Sequence, residues 1–229
     1  MGSWLPVGKF FGVEFRIDSM LLLLAVVYAF EGFDAGGFQG VLDALTFFVF
    51  LLVSIVLHEI GHAAAAGAFG LRTLEIALHF FGGYARYAEP PRRPIEEAVI
   101  SLAGPLVNLS LAGLLYLVID TYVHGKGFAF IGGQMWLIDD LRYANLILGL
   151  FNLLPAFPLD GGTFTRAVLS TWLSRSLARL IVAYAGVVVG FALAAFGLYA
   201  SLPFTIFLGL IFVYIASTEV TAARRGMDY

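Results

Sequence analysis

His58, Glu59 and His62 stand together in one short string, His58-Glu59-Ile60-Gly61-His62. On a helix, residues four apart share a face about one turn apart, so His58 and His62 can aim two imidazoles at a single metal ion. The carboxylate of Glu59, beside the first imidazole, can take a proton from a water that attacks a carbonyl. Two neutral imidazoles and a carboxylate base are the groups that zinc-assisted hydrolysis requires. In a soluble helix the same string could be a solvated polar face. Here it follows the run Ala44 to Leu57, which carries no charge at all. Ionisable groups at membrane depth are costly and are therefore functional candidates by default.

A catalytic zinc site takes three protein ligands and keeps one position open. The chain has no cysteine, so a third ligand must come from His, Asp or Glu. His79 falls on an expected hairpin and His124 on the far side of the membrane, which leaves Asp160 better placed. It sits in Asn152-Leu153-Leu154-Pro155-Ala156-Phe157-Pro158-Leu159-Asp160-Gly161-Gly162, where two prolines stop a helix and release its backbone. At membrane depth such backbone is tolerated only against protein or a water-filled cavity. Asp160 also reads as a cap on the helix that follows.

The elements that must position these groups are those of a membrane protein. Of 229 residues, 60% are hydrophobic and 13% charged, and the mean hydropathy is +0.91. A soluble domain carries about 25% charged residues, so the composition indicates one polytopic membrane domain over residues 1–229. The net charge of −3 gives no reason to expect a nucleic-acid partner.

Between Phe11 and Asp18, Val13, Phe15 and Ile17 alternate with Glu14, Arg16 and Asp18, the period of a half-buried strand. The next run, Ser19 to Phe30, has 12 uncharged residues, fewer than the roughly 20 of a straight span, so span 1 must borrow flanking residues. A Gly-rich connection, Glu31 to Gly40, leads to span 2 and the His-Glu-x-x-His string. Leu74, Ile76, Leu78 and Phe80 then alternate with Glu75, Ala77 and His79, with Gly82-Gly83 as a turn and Tyr84 to Tyr87 as the return strand. Pro90 to Pro94 reads as a connector.

The 22 uncharged residues between Glu97 and Asp120 supply span 3, and span 4 runs from about Asp140 to Pro155. The 39 uncharged residues between Arg179 and Glu219 divide at Ser201-Leu202-Pro203 into spans 5 and 6. The expected fold is mainly α, six transmembrane helices with a small membrane-associated β-sheet made of the N-terminal strand and the hairpin near residues 71–87. With six spans, Lys9, Arg16, Arg72, Arg86, Arg92, Arg93, Arg166, Arg175, Arg179, Arg224 and Arg225 all fall on one side, leaving Lys126 and Arg142 at or near the other. The basic side is expected to be cytoplasmic, and both termini with it. Spans 2 and 4 then run in the same direction, carrying His58, His62 and Asp160 to similar depth.

The two motifs together resemble the site-2 protease family of intramembrane zinc metalloproteases. The resemblance rests on His-Glu-x-x-His in one membrane segment and Asn-x-x-Pro-x-x-Pro-Leu-Asp-Gly about a hundred residues later, and extends to the N-terminal strand, the Gly-Gly hairpin and the six-span core. It implies one Zn²⁺ per chain on His58, His62 and Asp160, with Glu59 as general base and Asn152 holding substrate or the oxyanion. It further implies a multi-pass protein of a prokaryotic cell membrane that cuts peptide bonds in transmembrane proteins or peptides, such as anti-sigma factors or precursors of membrane-bound transcription factors. Within these residues no PDZ domain separates the motifs and no CBS domain is found after them, which leads to the expectation of a minimal core.

Asn108, near Gly104-Pro105, reads either as a substrate-binding residue or as an interhelical hydrogen bond. A protease in the membrane must unwind its substrate, because a helix hides each scissile carbonyl in its own ladder. The strand leading to Gly82 and Gly83 could pair with the unwound segment and present it extended. The competing reading is a metal-binding membrane protein without peptidase activity, a transporter or a pseudoprotease. Glu59, placed where a general base belongs, argues against it.

Overall fold

The computed structural model describes residues 4–10, 12–79, 82–121 and 135–225. Phe11, Phe80, His124, Lys126 and the tail 226–229, all given places above, lie outside them. The described elements run β1 (Trp4–Phe10), β2 (Val13–Asp18), α1 (Met20–Ala68), β3 (Thr73–His79), β4 (Gly82–Tyr87), α2 (Pro94–Thr121), α3 (Met135–Asn152), α4 (Asp160–Leu169), α5 (Arg175–Tyr199) and α6 (Pro203–Arg224). They fall into two compact units, residues 1–90 with 106–149 and residues 91–105 with 150–229.

The first unit holds the sheet, in the order β1-β2-β3-β4. β1 and β2 are antiparallel, as are β3 and β4, whereas β2 and β3 are parallel with Phe15 opposite Ile76. Parallel neighbours need a long crossover, and α1 is that crossover. The alternation of Val13 to Asp18 is realised as β2. β1 was not anticipated, because Trp4-Leu5-Pro6-Val7-Gly8 breaks the period and the strand carries an irregularity between Pro6 and Gly8.

Two sequence expectations for the sheet are corrected. Gly82 and Gly83 are strand residues opposite His79 and Leu78, so they belong to β4 and do not form the turn. β3, the strand leading to them, is paired on both sides, and the outer strands are β1 and β4. An edge available to another chain is therefore offered by β4 and not by β3. One sheet face carries charge: Arg16 pairs with Glu14 at 3.0 Å, and Glu75 accepts from Arg86 at 2.8 Å and from the Tyr84 hydroxyl at 3.1 Å. Burial alone would push the Glu75 carboxyl up, but the Arg86 and Tyr84 hydrogen bonds and the Arg16 charge hold it below the usual range.

α1 spans 49 residues but breaks at Gly36 (φ −155°, ψ 23°) and Gly37 (φ 59°, ψ −142°). The left-handed φ at Gly37 is one that glycine adopts without penalty. The two halves pack on each other: Tyr28 lies 6.2 Å and 5.2 Å from the Phe47 and Phe48 rings, and a Cβ on Gly32 or Gly40 would collide with the other's carbonyl oxygen. Glu31 to Gly40 is thus no loop, as the sequence suggested. Most of it is helix, and two of its glycines mark a helix crossing. The first half extends beyond Phe30, the borrowing that its short apolar run demands.

Among the described residues, α1, α2, α5 and α6 are long and apolar enough to cross a membrane. The expected count was six. α3, which begins at Met135 rather than near Asp140 and stops at Asn152 ahead of Pro155, is not among the four; it carries Asp139, Asp140 and Arg142. Large apolar side chains stand exposed along the helices, among them Leu23, Phe50, Leu117 and Val188, as a lipid-facing surface does. The protein is a multi-pass membrane protein with a small sheet.

In the second unit, α5 and α6 pair across the Ser201-Leu202-Pro203 break, with Pro203 opening α6, and Arg179 donates to Glu219 at 2.7 Å. Phe157, Val182 and Ala183 form a buried cluster, with Leu169 and Val220 packed against it. Arg166 of α4 pairs with Glu97.

Candidate metal centre

The second half of α1 buries one stripe: Ser54, His58, Glu59, His62 and Ala66. Steps of four residues keep Ser54, His58, His62 and Ala66 on one helix face, with Glu59 on its flank, so the string that could do chemistry is also the string that packs. His58, Glu59 and His62 are 7%, 5% and 6% exposed. Burial of three ionisable groups in an apolar helix is costly without partners, and each has them.

The imidazoles converge. His58 Nε2 and His62 Nε2 lie 3.0 Å apart, near the roughly 3.3 Å between two imidazole nitrogens on one tetrahedral zinc at about 2.05 Å each. His58 Nδ1 lies 2.5 Å from Asn108 Oδ1. An amide oxygen accepts only, so His58 carries its proton on Nδ1 and presents the Nε2 lone pair inward. Metal-binding histidines are held in this way through their second nitrogen.

Glu59 faces the sheet. A Cβ built on Gly83 would stand 2.6 Å from Glu59 Cγ and 2.7 Å from Oε1, so the outer strand's backbone passes directly over the carboxylate. Any other residue at position 83 would take the space the carboxylate occupies.

The remaining sequence candidates have these places. Asn152 is the last residue of α3. Asp160 opens α4 one position after the cap residue Leu159, so it occupies the first turn and not the cap. His79 ends β3, its ring 6.1 Å from Tyr84; burial pushes its pKa below the usual value, against the pull of Asp18. Asn108, 0% exposed, spends its amide inside the protein, accepting from His58 and donating to Asn145 Oδ1 at 2.8 Å.

Asn145 was missed by sequence reasoning. The signal was there: a lone amide in Tyr143-Ala144-Asn145-Leu146-Ile147-Leu148, of the same kind that singled out Asn108.

His58 and His62 of the first unit offer two nitrogen ligands for a metal ion, and Asp160 of the second offers a carboxylate oxygen. The donor set suits zinc. Two imidazoles and one carboxylate, with no thiolate, are one of the donor sets that catalytic zinc takes, and such a set leaves a fourth position open.

Comparison with known proteins agrees with this chemistry. The description of peptidase family M50 matches residues 46–135, which include the His-Glu-x-x-His string. A zinc metalloprotease of Methanocaldococcus jannaschii is 31% identical over 214 residues, 92% of this chain and 58% of that protein. Stage IV sporulation protein FB of Bacillus subtilis is 33% identical over 114 residues, 49% of this chain and 36% of that protein. The chain thus spans about half the length of these curated relatives. Among solved structures, the site-2 protease from Methanocaldococcus jannaschii superposes with a TM-score of 0.69 at 28% identity, covering 95% of each chain. In its motifs, its fold and these relatives the chain is similar to the site-2 protease family of zinc metalloproteases.

Proposed function

We propose that this protein is an intramembrane zinc metalloprotease that hydrolyses peptide bonds within or near transmembrane segments of membrane-anchored proteins, as in regulated intramembrane proteolysis. The observation that carries this reading is the buried convergence of His58 and His62 with Glu59 set beneath Gly83 of an outer strand.

His58, His62 and Asp160 would hold the metal, and Asn108 would orient His58. When bound, Zn²⁺ supplies a Lewis acid that polarises the scissile carbonyl and makes an attacking water more acidic. Glu59 accepts the proton from that water as its oxygen adds to the carbonyl carbon, then delivers it to the amine as the C–N bond breaks. Asn152 holds substrate or the developing oxyanion. The unwound substrate adds to the free edge of β4, so that Gly82 and Gly83 lie against it and its carbonyl is brought over Glu59.

The 229 residues act as one membrane core. The two halves of α1 with α2, α3, α5 and α6 would make six spans; the Lys and Arg distribution favours termini on the cytoplasmic side, and the family resemblance favours a prokaryotic cell membrane. The test is cleavage of single-span reporter proteins co-reconstituted with the enzyme in lipid vesicles. Wild type cleaves and Glu59→Gln, with equal zinc, does not. Equal cleavage by both, or none by wild type across a reporter panel while zinc is bound, favours a metal-binding protein without peptidase activity.

A further inference from the structure

The polar stripe does not stop at Asn108. Asn145 of α3 is 1% exposed, yet its amide is fully used. Its Oδ1 accepts from Asn108 Nδ2 at 2.8 Å, and its Nδ2 donates to the Leu141 carbonyl at 2.9 Å and to Ser54 Oγ at 3.0 Å. Ser54 passes its own proton to the Phe50 carbonyl at 3.1 Å. Four side chains from α1, α2 and α3 thus form one chain of hydrogen bonds ending on His58.

The direction of that chain is forced from its far end. A backbone carbonyl only accepts, so the Asn145 group facing Leu141 must be the NH₂, and the group facing Asn108 must be the oxygen. Asn108 must answer with its NH₂, which leaves its oxygen toward His58. His58 Nδ1 must then carry the proton, and Nε2 must present its lone pair. Were Asn108 rotated by half a turn about its terminal bond, its NH₂ would face Nδ1. The imidazole proton would then move to Nε2, on the side where His62 Nε2 waits 3.0 Å away.

We propose that Asn145, with Ser54, is a positioning residue that sets the tautomer of His58 by fixing which way round the Asn108 amide lies. It touches neither substrate nor metal. The idea rests on the zinc-protease reading, in which His58 is a ligand, but its first test does not require the metal.

The experiment uses the full chain in detergent, metal-free and with ¹⁵N-labelled histidine, His58 signals being assigned by their loss in His58→Gln. Wild type shows Nδ1–H for His58. In Asn145→Leu, close in shape but without the amide, His58 populates the Nε2–H form. Asn145→Asp restores the wild-type signal, because a buried carboxyl stays protonated and can donate to Leu141 while accepting from Asn108. Zinc affinity by chelator competition follows the same order, with Asn145→Leu about 10- to 100-fold weaker than wild type and Asn145→Asp close to it. Ser54→Ala, which removes one of two acceptors for Nδ2, loses less than Asn145→Leu.

An unchanged His58 tautomer in Asn145→Leu overturns the proposal whatever zinc does. So does equal damage in Asn145→Leu and Asn145→Asp, which would make Asn145 a packing residue only. A wild type with the Nδ1–H form, altered by Asn145→Leu, that takes up no zinc upholds the tautomer relay and overturns the metal reading instead.

Discussion

Glu59 lies so close to Gly83 that a single methyl group on the strand would stand 2.7 Å from the carboxylate oxygen Oε1. Glycine at this position therefore makes room for the Glu59 carboxylate and does not serve a turn. Gly83→Ala must displace either β4 or Glu59. A base moved by about 1 Å can cost on the order of 100-fold in rate, so kcat/KM for a reporter substrate should fall by about that factor, with zinc content unchanged. Zinc lost together with activity would mean that the substitution disrupts the helix rather than the base.

The outer position of β4 gives the second prediction. Ala85→Pro removes a main-chain donor from the strand proposed to receive substrate and should abolish or strongly reduce cleavage while zinc remains bound. Val7→Pro, on the opposite outer strand β1 and at its irregularity, is the control and should cleave as wild type. Equal loss in both would point to general damage to the sheet.

Asn108 supplies the third. Asn108→Leu leaves the His58 Nδ1 proton without its acceptor and should weaken zinc binding about 10- to 100-fold, measured by competition with a chelator. Unaltered affinity would show that Asn108 serves only helix packing.

The sheet's charged face supplies a pH dependence. The Glu75 carboxyl is held below its ordinary value in the folded protein, so the folded state binds fewer protons than the unfolded one between the two values. Its contribution is complete above the ordinary carboxylate range and is lost as pH falls through the lower, folded value. Thermal stability of the wild type should drop across that acidic window. Glu75→Gln should be less stable at neutral pH and flatter below it; an identical profile would remove Glu75 from the account.

Much of this was legible in the sequence, and the failures have physical causes. His58, Glu59 and His62 stood out because charge inside an apolar run must be justified. The β2 and β3 alternations were readable for the same reason that strands alternate at all. Gly32 and Gly40 were read as loop because glycine's two uses, turning a chain and letting two helices touch, look alike in one dimension. β3 was taken for an edge because strand order depends on β2 returning alongside it after the long crossover, which no local pattern records. Asn145 was overlooked because its partners, Ser54 and Asn108, lie 91 and 37 residues away; the meaning of a buried amide is in what it faces. The position of Asp160 beside a proline-broken helix was legible, since Pro155 and Pro158 announce the break.

The central claim is that His58, His62 and Asp160 hold one catalytic zinc. Metal content of the purified protein, per chain, tests it most directly, with His62→Ala and Asp160→Ala measured beside wild type. About one zinc in the wild type, lost or much weakened in both variants, is the result predicted for a three-ligand site. A wild type that holds no zinc, or an Asp160→Ala variant that holds it as tightly as wild type, would contradict the account.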